Sequence, residues 1–239
     1  MMHWLAWSSI TVAAVLIHSV LIGVVSQATD AYDLAPDWTI EMPLPYSRSI
    51  AQAFLDAHNA RRAAPPRSAA NMRKLVWNAT LANLAVRHVR QCTLEHDTQN
   101  FTIGQVLELG GRPELNVAKV NATLEAWVER DLATHPLGND GRMVAMNLAS
   151  QILWADTISV GCASQWCPNV VRKARGVTGV LTACNYFPPG NYPDRPVLQV
   201  GPPCSKCPSD AFRCDNTLCT NEQYTFPSHL APIDPSIPH

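Results

Sequence analysis

The sequence predicts a mixed α/β fold in which helices cover a small sheet, and three features carry that prediction. Apolar residues recur at helical spacing in three separate stretches, and an apolar, β-favouring run, GVTGVLTAC, lies at Gly176 to Cys184. The helical stretches also stand both before and among the strand-like ones, the order expected when helices pack on a sheet rather than form a bundle.

In chain order, Ser49 and Gln52 make a capping-box pattern, and Ile50, Phe54, Leu55 and His58 line one face of the first helix. Ala63 to Arg67 ends it, because Pro65 and Pro66 lack the N–H groups that a helix needs. A second helix is predicted from about Asn78 to Cys92, where Leu81, Leu84, Ala85, His88 and Cys92 form a stripe that carries the cysteine toward the core. Ile103 to Leu109 is short and apolar enough for a strand. A third helix follows from about Val117 to Ala133, with Val120, Leu124, Trp127, Val128 and Leu132 on one face, and Leu137 to Asn139 breaks the pattern.

Gln151 to Cys162 alternates loosely and reads as a strand leading into GCASQWCPN at Gly161. Gly176 to Cys184 reads as a buried strand. Pro188-Pro189-Gly190-Asn191 then forces a turn, since prolines fix φ while glycine and asparagine tolerate positive φ, so the segment is expected to end in a rigid exposed loop.

At 239 residues the chain suffices for one domain with short appendages. A net charge of −1 with 15% charged residues excludes a nucleic-acid footprint or a basic membrane patch. Met1 to Ala28 reads as a signal peptide, with an apolar run from Val12 to Val25 and small residues at Ser26-Gln27-Ala28. The rival reading is a membrane anchor, but His18 and Ser19 interrupt a stretch already short for a bilayer, so after cleavage the chain is not expected to span a membrane. Residues 29–45 read as an extended arm, and the tail 221–239, with Pro227, Pro232, Pro235 and Pro238, is expected to lack regular structure.

Eight cysteines outside the leader suit an oxidising compartment, as do three glycosylation sequons at Asn78, Asn100 and Asn121. Secretion to the extracellular space is therefore expected. Eight cysteines allow on the order of a hundred pairings, and spacing alone does not choose among them. The last four, Cys204, Cys207, Cys214 and Cys219, are spaced so that they could instead hold zinc, although disulfides are favoured in a secreted chain.

Five segments in order, HNARR at His58, MRKLVWNATLANLA at Met72, CTLEH at Cys92, QILW at Gln151 and GCASQWCPN with CNYFPPGN from Gly161, resemble the CAP superfamily of cysteine-rich secretory, antigen 5 and pathogenesis-related proteins. The resemblance implies a three-layer α-β-α sandwich over residues 46–201, followed by a short disulfide-rich hinge over 202–220. It also implies disulfides Cys92–Cys167, Cys162–Cys184, Cys204–Cys214 and Cys207–Cys219.

Proteins of this superfamily line a cleft with two histidines and two glutamates that can bind a divalent metal. Transferred by position, one histidine is His96, one glutamate falls at Gln105, the second at Arg130 beside Glu129, and the second histidine at Leu148. One imidazole without partners does not hold zinc, and a cation at Arg130 opposes it, so neither metal nor cofactor is expected. No HExxH, GxSxG or phosphate loop is present, and no free thiol is expected, so the chain is expected not to be an enzyme. His58 and His88 read as hydrogen-bonded core histidines, and His58, Asn59 and Arg62 as structural. Two functions remain: binding of a lipid, sterol or fatty acid, which the superfamily includes and the low charge permits, or recognition of an extracellular protein partner through loops such as Phe187 to Pro196 and Asn139 to Met146.

Overall fold

A computed structural model of the chain describes residues 48–97, 102–110, 117–172 and 175–221. The leader and arm expected over 1–45, Asn100 and the tail beyond 221 lie outside them.

The first helix, α1 (Arg48–Ala63), buries the expected stripe of Ile50, Phe54, Leu55 and His58. The helix starts one residue before Ser49, the expected capping position. That residue is already helical, and a capping residue must sit outside the helix with extended backbone. A two-residue strand that the sequence does not announce, β1 (Val76–Trp77), precedes α2 (Ala79–Val89). Asn78 caps α2, its Oδ1 accepting from the Leu81 N–H at 3.1 Å. The helix ends three residues before Cys92. Cys92 has φ +50°, which no right-handed helix accommodates, so it lies in the following turn rather than on the stripe, while Leu81, Ala85 and His88 are buried and Leu84 half-buried.

The strand β2 (Gly104–Gly110) and the helix α3 (Val117–Thr134) follow, and all five stripe residues of α3 are buried. Gln151 to Cys162 is not a strand throughout. Asn147 and Ser150 form a reciprocal capping box that starts a short helix, α4 (Leu148–Ile152), and the chain joins the sheet only at β3 (Ser159–Arg172). β4 (Arg175–Phe187) contains the expected run and extends it at both ends; Gly179 to Cys184 is buried, but Val177 and Thr178 near the hairpin end are exposed.

The sheet order is β1-β3-β4-β2, with β1 parallel to β3 and the other pairs antiparallel. Helices α1, α3 and α4 share one apolar core with Val160, Cys162, Cys184 and Tyr186 of the sheet. Ala85, Val86 and Val89 of α2 pack with Ala163, Leu181 and Ala183 on the other face. The result is the three-layer α-β-α sandwich. α2 lies close on the sheet because Gly161 has no side chain: a Cβ there would meet the Asn78 carbonyl oxygen at 2.5 Å.

Disulfides join Cys92 to Cys167, from the turn after α2 to β3, and Cys162 to Cys184, directly opposite on β3 and β4. Cys204–Cys214 and Cys207–Cys219 staple the last segment around a hairpin of β5 (Arg213–Asp215) and β6 (Leu218–Thr220). That hairpin is packed on the domain: Leu218 enters the main core, and the Cys219 N–H donates to Met72 O at 2.7 Å. Arg73 holds Asp210 with two bonds, at 2.9 and 2.7 Å.

Candidate functional site

The five cleft positions do not converge. His96 and Gln105 meet, His96 Nδ1 lying 3.2 Å from Gln105 Oε1, and Gln105 Nε2 donates to Asn185 Oδ1 at 3.2 Å. Arg130, on α3, donates instead to both oxygens of Glu108, at 2.7 and 3.1 Å, and to Asp131 at 3.2 Å. Hydrogen bonding to Glu108 holds the Arg130 guanidinium above its ordinary pKa, so its charge is permanent but compensated. Glu129 pairs with Arg61 of α1. Leu148 packs against the main core. The two ligand-type side chains of the set, His96 and Glu129, therefore serve different layers, and the arrangement assembles no metal polyhedron. Glu108 escaped the sequence reading because it meets Arg130 only when β2 and α3 come together, and Asp131 because its second partner, the Ala149 N–H of α4, is brought to it by folding.

Groups of three or more ligand-type side chains among the described residues occur at His58, Cys162 and Cys184 and at Cys204, Cys207 and Cys219. Every cysteine in them is in a disulfide, so no thiolate is available, and the zinc alternative for the last segment gives way to two disulfides.

His58 is fully buried and has one consistent tautomer. Its Nδ1 lies 2.6 Å from Phe54 O, an acceptor only, so Nδ1 carries the proton, and Nε2 accepts from the Tyr186 hydroxyl at 2.8 Å. Burial pushes its pKa down to about 4, while burial raises that of Tyr186. Burial also lowers the pKa of His88. Neither imidazole is poised to exchange protons with a substrate.

Arg62 is buried and bonds only backbone carbonyls. Nε and Nη2 donate to Arg73 O at 3.0 and 2.8 Å, and Nη1 to Ile152 O and Trp154 O, each at 2.8 Å. Nη2 also reaches Ala155 O and Thr157 O, each at 3.2 Å. Burial lowers its pKa to about 9, leaving it charged at neutral pH. It pins the turn between α4 and β3 to the segment before β1. Asn59 adds a reciprocal pair with Leu75, donating to its carbonyl at 3.0 Å and accepting from its N–H at 2.8 Å.

The turn after β4 is half-buried rather than exposed. Asn191 has φ +61°, but Gly190 serves another purpose: a Cβ there would meet Trp154 Cγ at 2.6 Å. Tyr192, beyond the turn, is exposed with the Arg195 guanidinium 5.0 Å from its ring centre.

A groove of ≈ 370 Å³ opens where the end of α3 meets the loop after α1. Pro66, Leu132, Ala133, Pro136 and Leu137 make its apolar walls, and Arg67 and Glu129 supply charge. Sequence reasoning assigned Leu132 to the core stripe and did not foresee the groove, because its walls come from segments about 70 residues apart that only folding joins.

A sequence model of the cysteine-rich secretory protein family, CAP, matches residues 55–186. Mouse glioma pathogenesis-related protein 1 is 31% identical over 188 residues, covering 75% of this chain and 68% of that protein. The cysteine-rich venom protein of Tityus serrulatus is 34% identical over 181 residues, covering 72% of this chain but only 40% of the venom protein. The crystal structure of Na-ASP-1 matches with a TM-score of 0.62 at 22% identity, over 77% of this chain and 50% of that one, a likeness of fold. Because the family match covers over half of the chain and contains α2, α3 and both disulfides of the sandwich, this chain belongs to the cysteine-rich secretory protein family.

Proposed function

We propose that the chain is a secreted, non-enzymatic binding protein whose ligand is a lipid, a sterol or fatty acid, held in the groove at the end of α3. The observation that carries this reading is the groove itself, ≈ 370 Å³, in which apolar side chains of Pro66, Leu132, Ala133, Pro136 and Leu137 stand beside the charged Arg67 and Glu129. Its size falls in the range of small-molecule sites, and because Glu129 is already paired with Arg61, the Arg67 cation beside the apolar side chains suits an amphiphile with an acidic head. Pairing of all eight cysteines supports an oxidising, extracellular address. The neutral, buried His58 and His88 and the dispersed cleft residues support binding rather than catalysis.

Mass spectrometry of organic extracts from the protein secreted by eukaryotic cells tests the reading, followed by competition with sterol and fatty-acid probes. A stoichiometric, displaceable lipid that is lost in Leu132→Trp supports it; an empty protein that takes up neither probe refutes it. A second reading, recognition of an extracellular protein without a small ligand, is favoured by exposed apolar side chains at Phe212 (69%) and Val144 (95%).

A further inference from the structure

Two of the three sequons, Asn78-Ala79-Thr80 and Asn121-Ala122-Thr123, lie among the described residues, and the fold treats them differently. Asn78 is half-buried at the start of α2, where its backbone N–H donates to Val160 O at 2.9 Å and its Oδ1 accepts from the Leu81 N–H at 3.1 Å. A helix cap favours asparagine at that position, so the fold by itself explains the residue.

Asn121 has no such explanation. It sits in the second turn of α3, where Val120 and Leu124 are buried in the core while Asn121, Ala122 and Thr123 are exposed. Neither the Asn121 nor the Thr123 side chain makes a hydrogen bond to another described residue. Both are weaker helix formers than Lys119, Glu125, Ala126, Glu129 and Arg130, which occupy other exposed positions of the same helix. Capping, core packing and helix propensity therefore account for neither residue. What the two share is their spacing: an amide and, two residues on, a hydroxyl, with no proline between them, which is the acceptor pattern of N-glycosylation.

We propose that Asn121 is an N-glycosylation site that carries its sugar outward from α3. In the step, Asn121 Nδ2 forms a bond to the anomeric carbon of an N-acetylglucosamine, the pyrophosphate of a lipid-linked oligosaccharide leaves with the electrons of the bond it breaks, and Nδ2 gives up one proton. The acceptor stands on an exposed stretch of the helix, so the folded chain holds a bulky, hydrated sugar there without displacing a core side chain. Asn121 precedes Leu132 by eleven residues, roughly 16 Å along the helix, so its replacement leaves the walls of the groove in place. The proposal rests on the secreted address of the reading above and on no part of its lipid.

The test is peptide mapping of the full chain produced in eukaryotic cells, after enzymatic removal of N-glycans in heavy-oxygen water, which converts a glycosylated asparagine into a labelled aspartate. Label at Asn121 is expected. Thr123→Ala should abolish it and Thr123→Ser should keep it, because serine retains the hydroxyl of the motif. Unlabelled Asn121 in a secreted chain overturns the proposal and leaves the lipid reading standing, and label that persists in Thr123→Ala overturns it as well. A chain that never enters the secretory pathway overturns the secreted address and the proposal together.

Discussion

Acidification should destabilise this protein through His58, and the size of the effect follows from its surroundings. The imidazole is fully buried, donates to Phe54 O and accepts from Tyr186, so protonation would place a charge in the core and make the Tyr186 hydroxyl accept from Nε2–H, leaving its own proton without that partner. Its folded pKa is about 4 against an ordinary 6.5. Above 6.5 both folded and unfolded chains hold it neutral, and stability is complete. As pH falls from 6.5 toward 4 the unfolded chain takes up the proton and the folded one does not, so stability is lost. At about 1.36 kcal/mol per pH unit, the gap amounts to about 3 kcal/mol. The assay is guanidinium unfolding with disulfides intact, followed by tryptophan fluorescence between pH 7.5 and 4, for the wild type and His58→Gln. Carboxylates titrate alike in both proteins, so the difference isolates His58. The wild type should lose about 3 kcal/mol more than the variant over this range. Equal losses in the two proteins would refute the reasoning, and with it the placement of a neutral His58 in the core.

Other substitutions test other parts of the fold. Arg62→Met leaves carbonyls of Arg73, Ile152, Trp154, Ala155 and Thr157 without their donor, and thermal denaturation should report a loss of about 3 kcal/mol or more. Replacing both Cys92 and Cys167 by alanine releases a 75-residue link and should cost roughly 4 kcal/mol in chain entropy, read as a lower denaturant midpoint. Gly161→Ala sets a methyl group against the Asn78 carbonyl, so exchange protection of α2 amides should fall by about ten-fold or more; unchanged protection would show that α2 does not depend on that close approach. Glu108→Gln removes the carboxylate that pairs with Arg130, and because Arg130 is exposed and keeps its bond to Asp131 the change in melting temperature should be small.

Much of the architecture was legible from periodicity. The stripe Val120, Leu124, Trp127, Val128 and Leu132 is buried as its spacing requires, because a long helix against a core must keep one face apolar. Short elements were not legible. Two residues, Val76 and Trp77, carry no period, and they are a strand only because Ser159 and Val160 lie beside them. At Gln151 the loose alternation was outweighed by a local signal three residues apart, Asn147 and Ser150, whose side chains satisfy the first N–H groups of α4. Gly190 carries a different lesson: a glycine next to prolines reads as a turn residue, whereas it is the ring of Trp154 that leaves no room for a Cβ.

By itself the sequence determined the fold class, the core stripes, the family and an even number of cysteines, because these depend on residue type and short-range spacing. Only the tertiary structure decided which charged groups meet. Arg130 pairs with Glu108, Glu129 with Arg61, and His96 with Gln105, the last across only eight intervening residues but between a loop and a strand. The groove at the end of α3 arises in the same way. A side chain's partner is set by how layers pack, and packing sums weak contacts from distant segments that no local pattern records.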